Sequence, residues 1–358
     1  MVYVEMRNPE ENYPFDHWWV IATSEELGQG QLLPRKVLGM DVVLFRQDDG
    51  TAAALVDRCS HRGLPLSMGA LEGNRITCGY HGFQFDPTGT LVAVPTQPNC
   101  PRKGSVRAFP VVDKAPYIWI WTGDPALANA DDVPVYPWLR EPGWAWATER
   151  IHVAANYMLL KENVLDLTHF PFAHKSTLGA IDSYANYSPP PVLGDDRVCY
   201  RNEFLNQPLS PVYNDDLGLG DRLTDRVDEG VSVSPAVHIA KVSIRIKEPR
   251  PGEKAEYAFM FHHMTTPETP RSHHYWWAMA RDYAVNDKAA AYFKSIAHVA
   301  FAEDKVILEA IQKRNDEAGP GANLQEVSVV ADRAGLMARR QLQALLDAED
   351  RRRAGGTV

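Results

Sequence analysis

Two Cys/His pairs on neighbouring loops constrain this chain more than any other feature of its sequence. The first pair is Cys59 and His61, and the second, after sixteen intervening residues, is Cys78 and His81. Thiolates and imidazoles are the side chains that bind zinc and iron in proteins. Both pairs lie among short strand-like runs separated by Gly, Pro, Asn and Asp. This pattern predicts a metal site on loops of an all-β region over about residues 17–125.

The alternation of Cys with His distinguishes two kinds of metal site. Two thiolates on one iron and two imidazoles on the other form a mixed-ligand [2Fe-2S] centre, whose reduction potential lies above that of an all-cysteine cluster. Two Cys and two His also satisfy tetrahedral zinc, but structural zinc sites usually pair Cys with Cys and His with His. We therefore predict an electron-transferring iron–sulfur centre at these four residues, with zinc as the alternative.

Charge and cysteine content exclude several classes of protein. The formal net charge of -9 argues against a surface that binds phosphates, so we expect no nucleic-acid partner. The N-terminus has acids and prolines where a secretory signal would be apolar, and no stretch approaches the length of a membrane span. We expect a cytoplasmic protein without a membrane partner, in which the four cysteines do not form a disulfide framework.

The length of 358 residues favours two domains. A Pro-rich connector near 125–145 leads us to divide the chain into 1–135 and 136–358. Strand-like runs at VSIRIKE, YAFMFHHMTT and HHYWWAMARDY predict an antiparallel sheet in the second part. Apolar residues spaced by three and four predict a long helix over 287–313. The predicted fold class is α+β: an all-β domain, then an antiparallel sheet wrapped around a long C-terminal helix.

A second group of candidate ligands lies just beyond the connector. Residues 156–170 predict a helix that Pro171 ends or kinks. Asn163, Asp166 and His169 are three apart, which places them on one helical face, and His174 follows shortly after the proline. The alternative interpretation is a solvated helix face.

Asp304 on the long helix supplies a third kind of ligand. Its spacing from Ala300 and Leu308 turns the carboxylate toward the core, and metal coordination is one way to offset the cost of burying a charge. Two histidines and a carboxylate form the facial triad of non-haem Fe(II) oxygenases. We predict such a site at His169, His174 and Asp304, with a salt bridge or an exposed helix edge as the alternative for Asp304.

These motifs resemble a known family over about residues 14–345. CSHRGLPLSMG and CGYHGFQFDPTG resemble the cluster-binding loops of Rieske proteins. The D-x2-H-x4-H motif that ends at His174, together with FAEDKVILEAIQ, resembles the catalytic domain of Rieske non-haem iron oxygenases. The overall length resembles the branch that contains vanillate and dicamba O-demethylases. The resemblance implies a [2Fe-2S] Rieske cluster and a mononuclear Fe(II) held by the predicted triad.

The resemblance also implies an assembly and partners. Asp166 would bridge His169 to His81 of the partner subunit in a head-to-tail homotrimer, and Asn163 would lie behind the iron ligands. A reductase, with or without a ferredoxin, would supply electrons, because the chain has no G-x-G-x-x-G after a strand for binding the nucleotide itself.

The expected reaction is monooxygenation of a small aromatic substrate by O2, with oxidative O- or N-demethylation and release of formaldehyde as the simplest outcome. An aromatic ring or benzylic hydroxylase with the same metal centres is one alternative. A non-catalytic Rieske electron-transfer protein is the other. His262 and His263 lie on opposite faces of a strand, so one of them should face the substrate pocket, where it could bind a carboxylate or phenol or serve a structural role.

Overall fold

The computed structural model describes residues 13–175, 177, 192–194, 197–319 and 326–355, with only the backbone for 192–194. Within this part of the chain there are two compact units. The first contains residues 13–135, 266–270 and 346–355. The second contains the described residues of 136–265 and 271–345.

The first unit is built from three small sheets, as expected for an all-β region. Their strand orders are β1-β11-β10, β2-β3-β4-β9 and β5-β6-β7-β8, with antiparallel pairing. The strands are β1 Trp18–Thr23, β2 Leu33–Val37, β3 Met40–Arg46, β4 Ala52–Val56, β5 Ala70–Glu72, β6 Arg75–Thr77, β7 Gln84–Phe85, β8 Leu91–Ala93, β9 Ala108–Phe109, β10 Val111–Lys114 and β11 Tyr117–Trp121. Short 3-10 helices lie at Leu66–Met68, Pro125–Leu127 and Ala130–Asp132.

Two later segments of the chain complete this unit. At the β2–β3 turn, the Leu38 amide donates a hydrogen bond to the Pro267 carbonyl oxygen, and the Gly39 amide donates one to the Glu268 carbonyl oxygen. Both are 2.8 Å long. The Thr266 hydroxyl donates to the carbonyl oxygen of Val20 at 2.6 Å. A division of the sequence at a single point cannot express this arrangement, because the segments that pack together are more than two hundred residues apart.

The second unit contains a seven-stranded sheet in the order β12-β18-β17-β16-β15-β14-β13. Its strands are β12 Ala145–Val153, β13 Val192–Gly194, β14 Arg197–Gln207, β15 Thr224–Ser234, β16 Val237–Ile246, β17 Glu256–Thr269 and β18 Ser272–Arg281. The α-helices are α1 Tyr157–Leu165, α2 Phe170–Ala173, α3 Pro211–Leu217, α4 Asp287–Ala318 and α5 Arg333–Gly355. Short 3-10 helices lie at Pro137–Leu139, Leu167–His169 and Val330–Asp332. Residues 266–270, at the ends of β17 and β18, and 346–355, at the end of α5, pack with the first unit.

Helix α4 packs its buried face in the core of the second unit. Its buried side chains are Ala289, Phe293, Ala297, Ala300, Asp304, Leu308 and Gln312. Asp304 therefore faces inward, as its spacing predicts. Ile307 and Ile311, which the pattern assigned to the same face, are each 40% exposed. The buried row follows steps of four and three, and these two isoleucines fall beside it.

Helix α5 was missed by the sequence analysis. Its buried side chains include Ala334, Ala338, Leu342 and Leu346, which recur every four residues. Two of these four positions hold only alanine, and other apolar residues, Leu336, Met337 and Leu345, lie outside the row, so the stripe was weak.

The architecture confirms the predicted α+β class, with an all-β unit followed by an antiparallel sheet and a long helix. Across the described residues, no helix combines the length and the apolar character needed to cross a membrane.

Substitution of Glu349, near the end of α5, tests whether its contacts stabilise the first unit. Its carboxylate is 0% exposed, accepts a hydrogen bond from the Phe15 amide at 2.9 Å and pairs with Arg353. We expect Glu349→Ala to lower the free energy of unfolding of this unit by about 3 kcal/mol, because it leaves a buried amide and a guanidinium without their partner. Thermal melting followed by the visible absorbance of the cluster measures the change.

The matched control is Arg352→Ala, which removes a pair between an exposed guanidinium and Asp16 at 3.2 Å. Exposed pairs contribute about 0–1 kcal/mol. Equal losses in the two variants would contradict the structural role of Glu349.

Candidate functional site

The two loops with the Cys/His pairs repeat one backbone pattern. In each loop the cysteine amide donates to the carbonyl oxygen five residues later, and the amide four residues later donates back to the cysteine carbonyl oxygen. The distances are 2.8 and 2.9 Å for Cys59, and 2.8 and 3.0 Å for Cys78. The residues four positions later are Gly63 and Gly82, whose φ angles of 76° and 69° lie in the left-handed region that favours glycine. The glycines of both motifs are therefore required by the turns.

These loops bury the thiols and expose the imidazoles. Cys59 and Cys78 are each 2% exposed, whereas His61 and His81 are exposed, with ring centroids 4.5 Å apart. Burial, followed by a hydrogen bond with the Cys78 thiol, raises the pKa of Cys59. Histidines at the surface provide a route by which an electron can leave.

The four side chains are spread more widely than one metal ion requires. A single tetrahedral ion would gather all four ligand atoms around one point. Within the described ranges, one group of three metal-ligating side chains has all its ligand atoms within 4.8 Å of one another. This group is His169, His174 and Asp304. The Cys/His pairs do not form such a group, which favours a cluster of two irons over zinc.

His169, His174 and Asp304 meet in the second unit. Asp304 Oδ1 lies 3.6 Å from His169 Nε2 and 3.3 Å from His174 Nε2. Ligand atoms that are about 2.1 Å from a first-row metal ion and at right angles to each other are about 3 Å apart. Both imidazoles thus present the same nitrogen toward one carboxylate oxygen, and the three groups fit a facial triad.

The helix that carries these residues ends earlier than predicted. Helix α1 stops at Leu165, because Asp166 adopts an extended conformation and its Oδ1 accepts hydrogen bonds from the amide and hydroxyl of Thr168 at 2.9 and 2.6 Å. Pro171 lies in the first turn of α2, where its missing amide proton costs nothing. The prediction of one helix over 156–170 was therefore wrong, and Asp166 is a cap, not a residue on a helical face.

Asp166 contacts His169 through its backbone. The carbonyl oxygen of Asp166 lies 2.5 Å from His169 Nδ1, an arrangement that places a proton on Nδ1 and leaves Nε2 for a metal. Asn163 donates through Nδ2 to Asp304 Oδ1 at 3.0 Å. Asn163 therefore contacts the same carboxylate oxygen that the two histidines face, and not the far side of the carboxylate.

Glu303 was missed as a functional residue by the sequence analysis. Its Oε2 lies 2.9 Å from His174 Nδ1 and accepts a hydrogen bond from the Thr177 hydroxyl at 2.7 Å. A carboxylate on the outer nitrogen fixes the tautomer of a metal-binding histidine. Only its position next to Asp304 in the sequence could have indicated this role.

The pKa values of the two histidines shift in opposite directions. Burial lowers the pKa of His169, and the charge of Asp304 offsets this only in part. Burial also acts to lower the pKa of His174, but the hydrogen bonds and charges of Asp304 and Glu303 outweigh it and raise the pKa. His174 is the more basic ligand.

The triad lines a cavity of about 100 Å³ in the second unit. An engineered apolar cavity of about 150 Å³ in another protein admits benzene, so this smaller space limits a ligand to no more than a single aromatic ring. Its walls are mostly apolar and aromatic. They include Phe170, Val242, Phe259, Phe261, Met279, Phe293 and Phe301.

His263 lines this cavity, and His262 does not. His263 Nδ1 lies 2.7 Å from the hydroxyl of Tyr275. His262 is 0% exposed, and its Nε2 accepts a hydrogen bond from the Trp138 indole at 2.6 Å. Burial lowers the pKa of each histidine to about 3, so both are neutral near pH 7.

Comparisons with known families match both halves of the chain. The family described as Rieske [2Fe-2S] domain matches residues 17–113. The family described as vanillate O-demethylase oxygenase C-terminal domain matches residues 153–348.

Curated relatives match over nearly the full length. A toluene-4-sulfonate monooxygenase system iron-sulfur subunit from Comamonas testosteroni is 33% identical over 95% of this chain and 98% of its own. The oxygenase component of dicamba O-demethylase from Stenotrophomonas maltophilia is 31% identical over 92% and 96%. A crystal structure of dicamba monooxygenase bound to 3,6-dichlorosalicylic acid superposes with a TM-score of 0.86, at 29% identity, over 94% of this chain and 98% of that one.

Removal of Asp304 tests the triad. We expect Asp304→Ala to lower the iron content from three to two per chain and to leave the visible spectrum of the cluster unchanged, because the cluster candidates lie in the other unit. Iron analysis and absorbance spectroscopy on the same sample measure both. Glu317→Ala, at the exposed end of the same helix, is the control and should keep three irons. Loss of the cluster together with the third iron would count against this assignment.

Proposed function

We propose that this chain, which belongs to the Rieske non-haem iron oxygenase family of vanillate O-demethylase oxygenase subunits, oxidises a methyl group carried on a small aromatic ring. The observation that carries the proposal is the position of the triad. Its three side chains line a cavity whose size and apolar walls suit one ring.

Membership of this family confirms the predicted enzyme class and both cofactors. The protein is a Rieske-type non-haem iron monooxygenase with a [2Fe-2S] cluster and a mononuclear iron. The alternatives of structural zinc and of a non-catalytic electron carrier are excluded. His169, His174 and Asp304 would hold the mononuclear iron, which when bound would supply the redox chemistry for activation of dioxygen.

We assign the cluster to the two Cys/His pairs, and the mononuclear iron to the triad. Support for the cluster assignment comes from the repeated loop geometry and the buried thiols. Support for the iron assignment comes from the orientation of both imidazoles by hydrogen bonds to their outer nitrogens. We further propose that 1–135 is the cluster domain and 136–358 the catalytic domain, with the two late segments packed on the first.

We propose that Asp166 connects the two metals between subunits of a homotrimer. Its Oδ1 is held by Thr168 and its carbonyl oxygen contacts His169, so the carboxylate has a fixed direction. This carboxylate would accept a hydrogen bond from His81 of the partner subunit. Electrons would come from a reductase, with or without a ferredoxin.

Oxidation of a methyl group has different products with different attachments. On oxygen or nitrogen, hydroxylation of the methyl carbon yields a hemiacetal or hemiaminal that releases formaldehyde. On a ring carbon, it yields a stable alcohol. Two relatives are named as O-demethylases, for vanillate and dicamba, which favours the first outcome. Benzylic hydroxylation is the second candidate, because toluene-4-sulfonate, named for another relative, has only a ring methyl.

A substrate panel separates these outcomes. We expect uptake of O2 coupled to formaldehyde with single-ring methoxy- and N-methyl-aromatics, given a surrogate reductase, because the cavity admits one ring beside the triad. Oxygen electrode traces and a formaldehyde assay measure the coupling. Ring methyl analogues of the same size serve as controls. Turnover of these analogues to benzylic alcohols, without formaldehyde from the methoxy compounds, would establish the second candidate instead.

Asp166→Asn tests the electron path. We expect both metals to be retained and turnover to fall by about a hundredfold, because the carbonyl contact with His169 remains but the neutral side chain is a weaker acceptor for His81 of the partner subunit than the carboxylate. Steady-state oxygen uptake and iron analysis measure the two effects. Thr168→Val is the control, since it removes only the hydroxyl held by Asp166. Near-normal turnover of the Asn variant would rule out the bridging role.

A further inference from the structure

Strand β15 has an unusual inward face. Its sequence is TDRVDEGVSVS, and burial alternates along it with a period of two. A sheet face that packs on a core normally carries apolar side chains. Here the buried residues are Thr224, Arg226, Asp228, Gly230 and Ser232, whereas the valines of the strand lie on the other, half-buried face together with Asp225 and Glu229. Buried polar and charged groups are costly unless they bind something, so this face indicates a binding role.

Asp228 brings this polarity to the cavity. It is 3% exposed and lines the same space as the triad. Its neighbours in register are Asn202 on β14 and Val242 on β16. Asn202 is 5% exposed, and in the described structure its Oδ1 has no hydrogen-bond partner. Asp228 thus brings a buried carboxylate to the cavity wall, while the buried amide of Asn202 lies next to it in register and outside the lining.

Two tyrosine rings lie near Asp228. Tyr200 and Tyr213 also line the cavity. Burial first, and then the charge of Asp228, raise the pKa of both phenols. Gly230 pairs in register with Tyr200, and a Cβ there would lie 2.1 Å from the Tyr200 ring. Glycine is therefore required for the ring to reach its place beside the carboxylate.

Among the described lining residues, no lysine or arginine faces the cavity. Arg226 Nε lies 3.2 Å from Asp228 Oδ1, but the guanidinium sits over the Phe204 ring at 4.1 Å and does not line the space. His263 is neutral because burial holds its pKa at about 3. Away from the triad, the charged group that the described lining presents to a ligand is the carboxylate of Asp228.

We propose that Asp228 forms a recognition subsite that selects aromatic substrates with a neutral or cationic hydrogen-bond donor, such as a hydroxyl or an amine, and disfavours rings with a carboxylate or sulfonate. This inference rests on the proposed function and names its substrate class. A carboxylate accepts hydrogen bonds strongly in a site without water, whereas a second anion there meets like charge. Asp228 and the triad line the same cavity, so a ring bound at Asp228 shares this space with the triad.

Three ligands that differ in one substituent test the proposal. They are 4-methoxybenzylamine, 4-methoxybenzyl alcohol and 4-methoxybenzoate. Titration calorimetry on the anaerobic holoenzyme should give at least tenfold tighter binding of the amine and the alcohol than of the benzoate. Oxygen uptake and formaldehyde, measured separately with a surrogate reductase, report whether each bound ligand is oxidised.

Asp228→Asn tests the residue. It keeps the size of the side chain and removes the charge, so the preference for the amine over the benzoate should fall at least tenfold. Asp225→Asn is the matched control, because Asp225 lies on the other face of β15 and pairs with Lys247 at 2.7 Å. It should keep the wild-type preference. If Asp228→Asn does not fold, the wild-type series still decides the proposal.

The outcomes separate the two claims. Equal or tighter binding of the benzoate by the wild type would overturn the Asp228 subsite, and oxidation of that benzoate would leave the oxygenase function intact. Binding of none of the three ligands would also overturn the subsite. Tight binding of the amine or the alcohol without oxidation would support the subsite and count against methyl oxidation.

Discussion

The arrangement of the site in the second unit depends on the contacts of the buried Asp304 carboxylate. A carboxylate that is 5% exposed is unfavourable in a helix core unless other groups satisfy it. Asn163 donates to it, and His169 and His174 direct their Nε2 atoms toward it. Helix α1, the segment after it and helix α4 are thereby joined at one point. A metal ion bound at this point by His169, His174 and Asp304 would offset the remaining cost of burying the carboxylate.

Orientation of the two histidines comes from different chemical groups. A backbone carbonyl oxygen contacts His169, and the carboxylate of Glu303 contacts His174. The carbonyl carries no net charge, whereas Glu303 helps to raise the pKa of His174. The triad therefore joins an imidazole with a lowered pKa and one with a raised pKa. The early end of α1 at Asp166 makes the first contact available.

The cavity next to the triad combines apolar walls with a polar strip on the sheet. The strip arises because β15 places Asp228 on the buried face, where a valine would be expected, and because Gly230 gives room to Tyr200. With His263 kept neutral by burial, the strip has the character of a hydrogen-bond acceptor. Substrate choice would then depend on the sheet, while the chemistry depends on the helices.

The sequence alone determined the candidate ligand sets, because Cys59 and His61, Cys78 and His81, and the pair His169 and His174 are each recognisable by local spacing. Hydrophobic periodicity also placed Asp304 toward the core. The tertiary structure decided that His263 and not His262 faces the cavity, that Glu303 holds a ligand, and that Asp228 lines the cavity. Local sequence patterns give the type and spacing of side chains. The contacts of His263, Glu303 and Asp228 join residues that are distant in sequence, and only the packing of sheet against helix brings those residues together.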